Sequence, residues 1–205
     1  NSANTFEVSG FQIEAGSYPT SYIPTSGSTV TRLGDLVTDA GNVNTFNSEA
    51  GVLYIEAAIL ANDGTTRTVS MSDGTSDNEL LIYYDSTSNK VNVGARVGNT
   101  NQAIMDFVLA DATIPNKIAV KYKLNDYSLW INGIEVDTDN SGTTFPLSTL
   151  TKLSFADGDT ISAPFYGKTK QLKVFPSALT DLELETLTSW ASFTEMANAL
   201  NYNIV

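Results

Sequence analysis

Trp130, Tyr83, Arg96, Asn92 and Asp85 are the residues whose types and spacing give this sequence a ligand-binding chemistry. Each stands on the polar side of an alternating run, opposite the apolar positions of the same segment. In ELLIYYD, Leu80, Ile82 and Tyr84 oppose Leu81, Tyr83 and Asp85. In KVNVGARV, Val91, Val93, Ala95 and Val97 oppose Asn92, Gly94 and Arg96, and in YSLWING, Leu129 and Ile131 oppose Trp130. An aromatic ring covers the apolar face of a sugar, while amides, carboxylates and a guanidinium exchange hydrogen bonds with its hydroxyls. If these strands neighbour one another in one sheet, the five residues form a polar-aromatic surface. The plainer alternative is that Trp130 and Tyr83 pack under a loop or against the N-terminal segment.

A second set is acidic. Asp157 and Asp159 bracket Gly158, and the Asp73–Asp77 loop adds carboxylates. Hard oxygens from loops are what Ca²⁺ takes, and the same acids serve equally well as ordinary turn residues. Lys121 and Lys123 read as solvated edge charges. Other site chemistries are excluded by composition. The chain has no His and no Cys, which removes Ser-His-Asp and Cys-His triads, His- or Cys-ligated zinc and disulfides. Glu56 and Asp106 are lone acids in apolar segments, while Glu183 and Glu185 fall on a helical stretch. No pair of carboxylates is therefore set across a glycosidic bond, and no enzyme activity is expected.

The chain that positions these residues has 205 of them, 41% apolar and 10% aromatic, enough for a sizeable core. Eleven basic against 23 acidic residues leave a net charge of −12. That field repels a polyanion, so nucleic acid is not an expected partner, and the acidity serves solubility. The longest apolar runs, Val52–Ile55 and Ala57–Ala61, are too short to span a bilayer. No Met opens the sequence and nothing resembles a signal peptide, which suggests a piece of a longer or processed chain.

Residues 1–31 carry a short extended segment with Phe11 and Ile13, then a Ser/Thr/Pro run held extended by Pro19 and Pro24. Tyr18, Tyr22 and Ile23 are too apolar for a free linker, so a strap packed on the body is expected. Residues 32–205 then read as one domain. About ten short strands follow one another, punctuated by Asn62-Asp63-Gly64, Asp73-Gly74, Asn125-Asp126 as a two-residue turn, and Asn132-Gly133. The last strand should end before Pro176, and Thr180 with Glu183 forms a capping box for a helix whose apolar stripe is Leu179, Leu184 and Leu187. Phe193–Leu200 has helical spacing. This is the pattern of an all-β sandwich with helix only at its end.

From Lys117 to Leu187, the strand, the Asn125-Asp126 turn, LWINGIEV and KQLKVFPSALTDLELETL resemble the second half of a laminin-G-like, concanavalin A-type module. The ending is the most recognisable piece: an apolar strand, an aromatic, then a run like ALTD-x-E. Val52–Leu109 is similar by strand pattern alone. The opening GFQIEAGSYPTSYIPTSGSTVTR also resembles a junction of phage tail-fibre and secreted carbohydrate-active bacterial proteins. The resemblance implies an antiparallel β-sandwich (jelly roll, concanavalin A-like) with a short C-terminal helix or two. It implies a non-catalytic carbohydrate-binding or adhesion module, extracellular or virion-associated, that meets a surface or matrix polysaccharide. The same sandwich also hosts structural parts. The alternative is accordingly a protein–protein assembly module that contacts other subunits or domains and binds no glycan. Third is an atypical glycosidase or lyase. Glycosidases of this type carry acids in an E-x-D-x-x-E strand, which is absent here, as are the His-bearing strands of the lyases. Trp130 and Tyr83 exposed in a groove would favour recognition; both buried would favour assembly.

Overall fold

Alternation with a period of two is realised in ten strands, followed by two helices, among the described residues of a computed structural model. The described residues are 10–13, 22–30, 37–158 and 162–199. Asn1–Asp35 and Leu36–Val205 form separate units. In the first, the Ile23 N–H donates to Gln12 Oε1 at 2.6 Å. Pro19 and Tyr18, part of the expected strap, lie outside the described residues.

The second unit contains β1 (Ala50–Ile59), β2 (Arg67–Ser72), β3 (Glu79–Tyr84), β4 (Lys90–Val97) and β5 (Thr100–Val108). These are followed by β6 (Asn116–Lys123), β7 (Tyr127–Ile131), β8 (Ile134–Asp139), β9 (Lys152–Ser154) and β10 (Gly167–Phe175), then α1 (Asp181–Thr188) and α2 (Phe193–Ala199). They make two five-stranded antiparallel sheets, ordered β10-β1-β6-β7-β8 and β5-β4-β3-β2-β9. Leu53, Ile55, Ile118, Val120 and Leu129 of the first sheet face Val69, Met71, Leu80, Ile82, Val93 and Met105 of the second across one core. Full burial of such side chains stabilises by about 1.5–3 kcal/mol each, before the entropy of ordering them. No helix among the described residues is long and apolar enough to cross a membrane.

The C-terminal signals behave as the sequence predicts. β10 stops at Phe175, before Pro176. The Thr180 N–H donates to Glu183 Oε2 at 2.8 Å and Thr180 Oγ1 accepts from the Glu183 N–H at 3.4 Å, closing the capping box. Leu184 is fully buried, with Leu179 and Leu187 packed beside it, while Leu182 stays exposed. Asn132 and Gly133 both adopt positive φ, 51° and 89°, as a two-residue hairpin turn requires. The Gly133 N–H donates to Thr188 Oγ1 at 3.1 Å, which ties α1 to that turn.

Two expectations need correction. β6 ends at Lys123, so three residues rather than two make the turn into β7, with Leu124 exposed in it. Lys121 is no solvated edge charge. β6 lies at the centre of its sheet, and Lys121 is 6% exposed, with Nζ 2.7 Å from Asp126 Oδ1 and 3.5 Å from Asp181 Oδ1 in the first turn of α1. Local alternation carries no information about which strand becomes central.

Candidate functional site

The outward residues of β2 to β5 fall into three rows across the sheet. Thr68, Tyr83, Asn92 and Asp106 form one; Ser70, Leu81, Gly94 and Ile104 the next; Ser72, Glu79, Arg96 and Asn101 the third. Between them lies a depression of about 240 Å³ whose lining includes Leu81, Tyr83, Gly94, Arg96, Ile104 and Asp157. Gly94 occupies the middle of the middle row. A Cβ built there would meet nothing nearer than Leu81 Cδ1, at 4.0 Å. Any side chain would therefore rise from the floor into the depression, and its absence keeps the centre of the face low.

Polar groups of this face, on and beside the depression, are tied by hydrogen bonds and ion pairs. Arg96 donates from Nε to Asn101 Oδ1 at 3.3 Å and from Nη1 to the Ser76 carbonyl at 3.2 Å. Its Nη1 also lies 3.6 Å from Oε1 of the buried Glu79 carboxylate. At the other end, Asn92 Nδ2 donates to Asp85 Oδ2 at 3.2 Å, and Asp85 Oδ1 accepts from the Thr87 N–H at 2.7 Å. Lys90 Nζ sits 3.0 Å from Asp106 Oδ2. Burial pushes the Tyr83 phenol above its ordinary range; Asp85 and Asp106 push the same way, against Lys90 and Arg96. The hydroxyl is therefore a donor throughout the neutral range. Beside β2, the Asp157 N–H donates to the Ser162 carbonyl at 2.9 Å. Gly158 lets this loop lie against the strand, since a Cβ there would come within 2.4 Å of Ser72 Oγ.

Four of the five predicted binding residues, Tyr83, Arg96, Asn92 and Asp85, thus share one face, with Asn92 bonded to Asp85 and Arg96 in a separate cluster with Glu79 and Asn101. Trp130 does not join them. β7 belongs to the other sheet, and its outward Trp130 is 6% exposed, packed with Val52, Tyr54, Ala119 and Leu184 of α1. Its indole N–H donates to Ser128 Oγ at 3.1 Å. Of the acids considered for a cation, Asp157 borders the depression and Asp159 lies outside the described residues. Asp73 is engaged in its own turn, with Oδ1 accepting from the Thr75 N–H at 2.8 Å and Oδ2 from Asn78 Nδ2 at 2.8 Å. Among the described residues, no group of three or more Asp or Glu side chains is placed to hold a metal ion.

Glu79, Asn101, Ile104 and the floor at Gly94 escaped the reading of single residues. Their signal was present, because the register that turns Tyr83 outward also turns out Glu79, and Ile104 alternates with the inward Ala103 and Met105.

A sandwich of two five-stranded antiparallel sheets, with helices only at its end, is the jelly-roll, concanavalin A-like fold of lectins and laminin-G-like modules. Solved structures share it. The CBM40 of the Ruminococcus gnavus IT-sialidase, bound to alpha2,6 sialyllactose, matches with a TM-score of 0.60 at 19% identity, over 74% of this chain and 94% of that one. The same CBM40 bound to alpha2,3 sialyllactose matches with a TM-score of 0.58 at 21% identity, over 69% and 83%. A heptameric SAP-like pentraxin from Limulus polyphemus matches with a TM-score of 0.58 at 14% identity, over 77% and 76%. At these identities the likeness is one of fold. No protein-family profile and no curated protein matches the sequence.

Proposed function

We propose that this chain is a non-catalytic carbohydrate-recognition module that takes a glycan in the depression around Gly94. The observation that carries this is the combination of a low, partly apolar floor at Leu81, Gly94 and Ile104 with the Tyr83 phenol and a hydrogen-bonded Arg96–Asn101 pair on the lining. Apolar surface with a few fixed polar groups is what a sugar site requires. Sialyllactose bound to a module of the same fold supports the reading. The ligand would be a surface or matrix polysaccharide. The parent would be a phage tail or secreted bacterial protein, extracellular or virion-associated, in which the module serves adhesion.

A second reading, assembly with other subunits or domains without glycan binding, draws on the burial of Trp130 and on exposed Phe107, Val108 and Ile134 along the β5–β8 edge. A glycan-array screen, with and without Ca²⁺ because Asp157 borders the depression, separates the two. Recognition is supported by a saturable hit that is lost in Gly94→Leu and weakened in Tyr83→Ala, both with unchanged melting temperature. Silence across the array moves the assignment to assembly.

A further inference from the structure

From the charges around this depression we infer that it selects neutral glycans over acidic ones. The inference rests on the reading above and adds the ligand class. Three cations reach the face among the described residues, and each is ion-paired. Arg96 is divided among Glu79, Asn101 and the Ser76 carbonyl, and Lys90 lies 3.0 Å from Asp106. The third, Lys152 of β9 beside Ser72, lies 3.0 Å from Asp39 Oδ1. Against them stand the carboxylates of Glu79, Asp85, Asp106 and Asp157, on a chain whose net charge is already −12.

A ligand carboxylate or sulfate would compete with Glu79 for Arg96 and would approach the Glu79 and Asp157 carboxylates of the lining. Glu79 is 3% exposed, so weakening its ion pair with Arg96 carries the desolvation cost of a buried carboxylate. A neutral ring meets no such penalty. Its apolar face rests on Leu81 and Ile104, its hydroxyls donate towards Asp157, and they accept from the Tyr83 hydroxyl. The volume of about 240 Å³ lies below the ~300–1,000 Å³ typical of sites for larger ligands, which points to one ring of a chain or a terminal residue.

The test uses the whole chain against matched neutral and acidic oligosaccharides, lactose and sialyllactose among them, with uronic-acid and sulfated members, at low and high salt. Neutral members are expected to bind, with affinity changing less than about twofold with salt. Acidic counterparts should be weaker by about tenfold or more, equivalent to ~1.4 kcal/mol. Glu79→Gln releases Arg96 and should raise acidic binding selectively. Acidic binding that exceeds neutral binding and collapses in Arg96→Gln, with folding verified by melting temperature, overturns the neutral assignment and leaves the recognition module standing. Failure of every member to bind overturns the recognition reading itself, and the ligand class with it.

Discussion

On the outer face of the β10–β8 sheet, Val52, Tyr54, Ala119 and Trp130 lie under Leu184 of α1; on the outer face of the β5–β9 sheet, Thr68, Tyr83, Asn92 and Arg96 surround the gap above Gly94. Both faces arise from the same strand pleat, in which every second side chain turns away from the core. The first carries apolar bulk that one amphipathic helix covers. The second carries polar groups bound to one another across neighbouring strands, and its central position has no side chain. One aromatic residue set outward is therefore structural, at Trp130, and another is part of a candidate site, at Tyr83. Alternation alone does not separate them.

If the two faces differ in this way, substitutions on the covered face should cost stability and those on the open face should cost binding. Trp130→Ala should have the largest effect, about 3–5 kcal/mol by denaturant unfolding, with glycan affinity intact in whatever fraction folds. A selective loss of binding at full stability would break the comparison.

Tyrosines give a pH test that spans the core and the covered face. Burial raises Tyr54 to about 12, with Glu56 and Glu195 adding to it, and burial raises Tyr127 to about 12, with Asp139 adding to it. Tyr84 and Tyr122 are pushed up further, by burial first. The unfolded chain ionises these phenols near pH ~10, so it binds fewer protons than the folded chain above that pH. Their contribution is complete below pH ~10 and is lost as pH rises towards the folded values. Stability measured by chemical denaturation should therefore fall steeply on the alkaline side.

A smaller effect belongs to the clip that holds the covering helix. Thr180→Ala removes the N-cap and should cost about 1 kcal/mol. Hydrogen bonds from the Thr180 N–H and then its hydroxyl hold the Glu183 carboxyl below its ordinary value. That contribution is present above the unfolded carboxylate value near ~4.3 and is lost as pH falls through the folded one. The gap between wild type and Thr180→Ala should accordingly narrow in acid. Gly94→Leu should have the smallest effect on stability, under about 0.5 kcal/mol, because its side chain enters open space. On the open face it should nevertheless abolish binding.

Much of the fold was legible because its signals are local. The alternation in ELLIYYD and KVNVGARV placed the inward residues of β3 and β4 where they are found. Asn132-Gly133 marked the β7–β8 hairpin, and Thr180 with Glu183 marked the start of α1. These depend on backbone sterics and on hydrogen bonds spanning a few residues. Lys121 was misread, and Trp130 left between two readings, because burial came from elements far apart in the chain: Lys121 lies on a central strand, and Trp130 lies under Leu184 of α1, 54 positions on.

The sequence by itself determined which side chains of each strand share a face, where turns and caps interrupt the strands, and that acid–base catalysis by His or Cys has no residue to use. The tertiary structure decided the order of strands in each sheet, and with it that Tyr83, Asn92 and Arg96 meet while Trp130 lies on the opposite sheet. The physical reason is range. A pleat of period two is set by each residue and its neighbours, whereas strand order and the docking of one helix depend on burying apolar surface between segments far apart in the chain.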